Sequence, residues 1–93
     1  MDPKTCRKRL HLALRTISQD TLVKHAGLRL NFGPNDLTDV KLTPAPKGSE
    51  GINFGSFQQA MAAAVDALTE EALGKGRSVS LTFADGKVAT EIL

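Results

Sequence analysis

The chain of 93 residues contains one cysteine, four phenylalanines and neither tryptophan nor tyrosine. A single cysteine cannot form an internal disulfide, so the sequence calls for no oxidising compartment and the expected location is the cytoplasm. Four aromatic rings that mostly fit core positions offer no stacking platform for single-stranded nucleic acid. No apolar run approaches the ~18 residues that span a bilayer, and Met1–Lys4 is not followed by the apolar run of a secretory signal. Membrane partners are therefore not expected.

Side chains that carry chemistry are equally few. The two histidines, His11 and His25, stand at no metal-ligand spacing with Cys6, and both are interpreted as solvated surface residues. No serine or cysteine is accompanied by a base and an orienting group, and Gly48–Gly51 lacks the lysine of a phosphate-binding loop. The sequence nominates no catalytic residue, metal ligand or cofactor-binding residue. It predicts a protein that is not an enzyme and uses no cofactor.

Composition predicts one small globular unit. Hydrophobic residues make up 41% of the chain and charged residues 24%, which is ordinary globular usage. The prediction is a single domain over residues 1–93 of the α+β class, with two helices packed on one antiparallel sheet in the order α-ββ-α-ββ. A chain this short buries only roughly 60–65% of its unfolded surface, so a homodimer would add burial.

The first segment carries two stripes of side chains at helical spacing. Asp2 can cap a helix whose first residue, Pro3, needs no N–H there. The apolar stripe is Cys6, Leu10, Ala13, Leu14 and Ile17, and the basic stripe is Lys4, Lys8, His11 and Arg15. Alternating leucines at positions 10, 12 and 14 leave a strand as the alternative for residues 1–17. Two stripes that share one period favour the helix.

A short helix and a β-hairpin are predicted next. Ser18 or Asp20 can begin the helix, which runs through Ala26, and Gly27 supplies the left-handed conformation that ends many helices. The predicted hairpin consists of a strand over 28–32, a turn over 33–36 and a partner strand over 39–42. A short helical turn from Pro34 is the alternative for this stretch.

Residues 18–28 also resemble the first helix and turn of helix-turn-helix DNA-binding domains. Gln19, Val23 and Gly27 stand at the relative offsets of that motif. The resemblance implies a recognition helix over residues 28–36. That stretch instead contains Asn-Phe-Gly-Pro, which breaks helices, and it alternates like a strand. The resemblance covers about a dozen residues, and the chain is not assigned to the family.

The second long helix is predicted to begin at Ser56, which forms a capping box with Gln59. Its apolar stripe consists of Phe57, Met61, Ala64, Val65, Leu68 and Ala72. Gly74 and Gly76 end it. The stretch before it, at about 43–55, is rich in proline and glycine and is predicted to be an irregular loop, connecting or disordered rather than functional.

The C-terminal hairpin has the strongest local signal. The two runs on either side of Asp85-Gly86 alternate apolar and polar residues, and this dipeptide is typical of a two-residue turn. The turn sets the register, with Phe83 opposite Val88 and Val79 opposite Ile92. The hairpin therefore has one apolar and one polar face.

Charge is distributed unevenly along the chain, whose net charge is +2. Residues 1–30 carry seven lysines or arginines against two aspartates, a net charge of +5. Residues 31–93 carry five such bases against eight acids, a net charge of −3. This asymmetry can steer an acidic partner to the first helix. The predicted partner-binding residues are Lys4, Arg7, Lys8 and Arg15.

Two interpretations of Cys6 remain. Its basic neighbours can lower the pKa of its thiol and make it reactive. The favoured interpretation is a small, half-buried hydrophobic residue on a helix, the usual state of a thiol outside disulfides.

Binding is the functional class that these observations leave. The favoured function is a small non-enzymatic interaction or regulatory protein that binds another macromolecule, with a protein partner preferred to nucleic acid. A homodimer is one arrangement of such a protein. The alternative is a DNA-associated protein that uses the basic N-terminal helix and the helix-turn-helix-like residues 18–28.

Overall fold

The computed structural model describes residues 2–33 and 36–93. The elements are α1 (Pro3–Arg15), α2 (Gln19–Leu22), β1 (His25–Gly33), β2 (Asp36–Pro44), α3 (Phe54–Ala67), α4 (Glu70–Lys75), β3 (Val79–Ala84) and β4 (Lys87–Ile92). The strands form one antiparallel sheet in the order β2-β1-β3-β4. The α+β class and the two hairpins are confirmed, whereas the described residues form four helices rather than two. None of these helices has the length and apolar character needed to cross a membrane.

α1 is a helix and not the alternative strand. Pro3 occupies its first position, and the Asp2 carboxylate accepts a hydrogen bond from the Thr5 hydroxyl instead of capping a backbone N–H. The stripe predicted to be apolar is buried, with Ile17 packed at its margin. Leu12 lies on the opposite, exposed side. The alternation of leucines was therefore a coincidence of helical spacing.

α2 is shorter than its sequence suggested. It begins after Ser18, whose side chain accepts a hydrogen bond from the Thr21 N–H, and ends at Leu22. Gly27 lies inside β1, so the prediction that it ends a helix is wrong. The reason is tertiary: the Ile52 N–H donates to the carbonyls of Leu22 and His25, which draws this backbone out of the helical path.

The first hairpin is longer than predicted. β1 places Leu28, Leu30 and Phe32 on the helical side of the sheet, where all three are buried. β2 begins at Asp36 and pairs with β1 along its whole length, with irregular register near Asn31. The turn residues 34 and 35, and with them the alternative of a helical turn from Pro34, lie outside the described residues.

The irregular connection spans residues 45–53, within the predicted loop. Its last residues are docked on the domain, because Ile52 is buried in the core. Gly51 packs directly on α2: a Cβ at this position would lie 2.0 Å from the Val23 carbonyl oxygen. Only a glycine allows this approach.

The predicted second helix is two helices. Asn53, not Ser56, caps α3, since the Asn53 side chain accepts a hydrogen bond from the Ser56 N–H. α3 ends at Ala67, and Leu68, its C-cap residue, has extended backbone angles. Thr69 then caps α4 by accepting a hydrogen bond from Ala72 N–H. A threonine whose side chain accepts a hydrogen bond from an N–H three residues later favours the start of a new helix. The apolar stripe continues across this point, so it gives no sign of the division.

The C-terminal hairpin is confirmed with its register. Phe83 pairs with Val88, and Val79 pairs with Ile92. Asp85 and Gly86 have φ values of +52° and +74°. Positive φ at both central residues is the type I′ turn, whose twist matches that of the flanking strands.

The core lies between the helices and one face of the sheet. Phe57 of α3 meets Phe83 of β3 edge to face, with ring centroids 5.4 Å apart. On the same side of the sheet, strand residues from β1 and β3 are buried against α1, α3 and α4. The opposite sheet face carries polar and small side chains, and no described element covers it.

Candidate functional site

The exposed side of α1 presents three cations around one leucine. Burial of Leu10 and Leu14 turns the opposite side of the helix outward. That side carries Lys4, Lys8, Leu12 and Arg15, all of them exposed, and we call these four residues the α1 face. Leu12 is 50% exposed and lies one helical turn from both Lys8 and Arg15. A single exposed apolar side chain is common on protein surfaces, and what distinguishes Leu12 is its position between two cations.

Arg7, the fourth predicted binding residue, lies apart from the α1 face. It is half-buried, and its guanidinium donates a hydrogen bond from Nη2 to the Leu68 carbonyl at the end of α3. A cation at a helix C-terminus interacts favourably with the exposed carbonyls there. Helical spacing could have indicated this position, because Arg7, Leu10 and Leu14 share one side of α1.

A cleft of about 600 Å³ runs beside the α1 face. Lys8, Arg9 and Leu12 line its helical wall, while Phe32 and Leu37 of the first hairpin line the other. Its lining combines apolar side chains with two cations, Lys8 and Arg9, and one carboxylate, Asp36. Sequence patterns gave no sign of it, since the packing of the hairpin against α1 is a tertiary feature.

The other side of the α1 face is bounded by a side-chain hydrogen bond between α1 and α3. His11 Nε2 lies 2.9 Å from Asp66 Oδ1 of α3. The sequence indicated a solvated surface residue at His11 and gave no sign of this contact. Asp66 places a negative charge at this margin, so the positive surface faces the cleft rather than α3.

Cys6 is buried among the core residues, with 2% of its surface exposed. Burial raises the pKa of the Cys6 thiol above its ordinary value, and this effect outweighs the charge of Arg7. The thiolate is therefore disfavoured, and the structure places Cys6 in the packing of α1 rather than in a reactive surface.

The second histidine is part of a local backbone contact. His25 Nδ1 lies 2.5 Å from the Thr21 carbonyl oxygen, to which it can donate a hydrogen bond. Within residues 2–33 and 36–93, no group of three or more histidine, cysteine or acidic side chains could hold a metal ion.

A hydrogen-bonded chain crosses the open face of the sheet. Arg29 Nε donates to Ser80 Oγ at 2.9 Å, and Ser80 Oγ donates to Asn31 Oδ1 at 3.0 Å. Ser80 is 5% exposed and is satisfied by these two bonds. The arrangement fixes the direction of the Arg29 side chain, and it explains why a serine is buried on the polar face.

Comparison with known proteins finds no matching family, no matching curated protein and no matching solved structure.

Proposed function

We propose that this protein is a non-enzymatic interaction or regulatory protein whose α1 face binds an acidic, amphipathic segment of a partner protein. The observation that carries the proposal is Leu12, half exposed between Lys8 and Arg15 and open to the adjacent cleft. We further propose that it acts in the cytoplasm, since one buried cysteine needs no oxidising environment.

The α1 face suits an amphipathic helix in two ways. The apolar side of such a helix can cover Leu12 and enter the cleft toward Leu37. Carboxylates at its margins can pair with Lys8 and Arg15, which speeds association and selects for negative charge. Covering the exposed half of a leucine contributes about 1 kcal/mol, so apolar and charged contacts are both needed for useful affinity.

DNA binding is the alternative, and Leu12 argues against it. Phosphate groups need cations, and a leucine between the cations gains nothing from phosphate. The helix-turn-helix-like residues 18–28 do not strengthen this alternative, because α2 is followed by β1 where the motif requires a recognition helix. DNA binding would depend on the cations of α1 alone.

The proposal can be tested with a synthetic helical peptide that carries glutamates on one side and leucines on the other. A scrambled peptide of equal composition and a DNA duplex are the competing probes. Fluorescence anisotropy should show that Lys8→Glu/Arg15→Glu weakens binding of the amphipathic peptide, while stability changes by about 0.5 kcal/mol at most. Lys47→Glu/Lys87→Glu, with the same charge change elsewhere, should bind as the unmodified protein does.

Leu12→Ser separates the two candidate functions. It should weaken peptide binding and leave any DNA binding unchanged, whereas Val23→Ser is the control because Val23 is similarly exposed, at 48%. The proposal would be overturned if the scrambled peptide bound as tightly as the amphipathic one. It would also be overturned if the protein preferred DNA, with a steep salt dependence and no effect of Leu12→Ser.

A further inference from the structure

β2 is an edge strand with an open side. It pairs with β1 alone, and no other strand within the described residues lies next to it. An edge of nine residues presents a row of backbone N–H and C=O groups that can pair with another strand.

The apolar side of β2 is poorly covered by the chain's own helices. Val40 and Leu42 face the helical side of the sheet, opposite Leu30 and Leu28 of β1. Val40 is half-buried, and Leu42 is 38% exposed. A further strand at this edge would place its own side chains beside both residues on the helical side.

The polar side of β2 carries two opposite charges on either side of Val40. Asp39 and Lys41 are both exposed, and neither takes part in a salt bridge among the described residues. Lys41 lies directly opposite Arg29 of β1, and like charges in this relation destabilise a sheet. A carboxylate beyond the free edge would offset this repulsion.

We propose that β2 pairs with β2 of a second copy of this chain, antiparallel, with the two-fold axis at Val40. This axis places Asp39 of each copy directly opposite Lys41 of the other. It also places the two Val40 side chains together on the helical side. The product is a continuous eight-stranded sheet whose helices all lie on one side, because the axis is perpendicular to the sheet.

Charge also selects this register. An axis at Asp39 places two aspartates opposite each other, and an axis at Lys41 does the same with two lysines. An axis at Thr38 or at Leu42 leaves both charges without an opposite partner. Only the axis at Val40 places each Asp39 opposite a Lys41, and Asp36 of each copy then lies opposite Pro44. Charged residues often protect an edge strand from pairing, but here their positions favour one register.

The interface can be tested by reversing one charge in each of two variants and then mixing the variants. Sedimentation equilibrium should show the unmodified protein approaching twice the 9.9 kDa mass of one chain as its concentration rises to about 1 mM, the range of weak, small interfaces. Asp39→Lys alone and Lys41→Asp alone each place like charges opposite one another in a homodimer. Each should raise the dissociation constant about tenfold or more.

An equimolar mixture of the two variants should restore the dimer, because lysines of one chain then face aspartates of the other. Lys87→Asp on the opposite edge strand is the control and should dimerise as the unmodified protein does. Circular dichroism at low concentration shows that every variant is folded. A monomer at all concentrations, no effect of single reversal, or no recovery on mixing would each overturn the proposal.

Discussion

His11 of α1 and Asp66 of α3 are joined by a side-chain hydrogen bond with 2.9 Å between Nε2 and Oδ1. They are 55 residues apart in the chain, and the pair links the two long helices at the surface. It also sets one margin of the α1 face, because the Asp66 carboxylate places a negative charge on that side of the face.

Replacing Asp66 should therefore affect binding more than stability. Asp66 is 66% exposed, and an exposed pair contributes roughly 0.2–1 kcal/mol. Asp66→Ala should lower the free energy of unfolding by no more than about 1 kcal/mol in urea denaturation. The same variant should bind the acidic peptide more tightly. Glu71→Ala removes the more exposed Lys75–Glu71 pair and is the matched control. If Asp66→Ala lowered the free energy of unfolding far more than Glu71→Ala did, the His11–Asp66 contact would be holding the helices together.

The Cys6 thiol should react slowly in the folded protein. Burial raises its pKa above 9.0, so less thiolate exists at pH 8 than for a solvated thiol, and the reagent cannot reach it. Labelling with a thiol-specific reagent should be more than about tenfold slower in buffer than in denaturant.

A raised pKa in the folded state also predicts a pH effect on stability. At a pH below the unfolded-state pKa, the thiol is neutral in both states, and the contribution of the buried thiol to the stability of the fold is fully present. As pH rises through the folded-state pKa that contribution is lost, because ionisation favours the unfolded chain. Stability should fall more steeply above pH 9 in the unmodified protein than in Cys6→Ala; parallel curves would contradict the burial of this thiol.

The Asp85-Gly86 turn should tolerate asparagine better than valine. Gly86 has a φ of +74°, and no atom lies within 4 Å of a Cβ placed there, so the effect of substitution is backbone strain alone. Gly86→Val should lower the free energy of unfolding by at least about 1 kcal/mol, and Gly86→Asn by less. Equal melting temperatures for the two variants would show that the turn does not require positive φ.

The docked end of the 45–53 connection should depend on Gly51. A Cβ there would lie 2.0 Å from the Val23 carbonyl oxygen, so Gly51→Ala should displace Ile52 from the core and cost about 2 kcal/mol or more. Gly55→Ala is the control, because its Cβ would have only one ordinary contact, with the side chain of Asn53.

Hydrogen exchange examines the same connection in the unmodified protein. The Ile52 amide, which donates to two carbonyls, should be protected, while the amides of Lys47, Gly48 and Glu50 should exchange fast. Fast exchange at Ile52 would favour the sequence-based expectation of a loop that is mobile throughout.

Two elements could be predicted well from sequence because their signals are local. α1 has a stripe that repeats within 15 residues, and the C-terminal hairpin has a turn dipeptide between two alternating runs. The division of the second helix at Leu68 was missed, since α3 and α4 bury residues of one continuous apolar stripe. The extended backbone of Leu68 and the capping bond of Thr69 separate the two helices.

The candidate site was predicted in part. Helical spacing brings Lys4, Lys8 and Arg15 together, and the structure places all three on the exposed side of α1. Arg7 belongs to a different contact, with a carbonyl 61 residues away. The cleft and the role of Leu12 were not visible in the sequence, because they depend on how the first hairpin packs beside the helix.

The sequence by itself determined the α+β class, the basic helix and the register of the second hairpin, all through interactions between residues close in the chain. Tertiary structure alone decided where α2 ends, that Arg7 contacts the end of α3, and which side of α1 borders a cleft. Those outcomes come from single contacts between distant segments, such as Ile52 with Leu22 and Arg7 with Leu68. Such contacts form because backbone groups and charges taken out of water need partners, and folding brings those partners from anywhere in the chain.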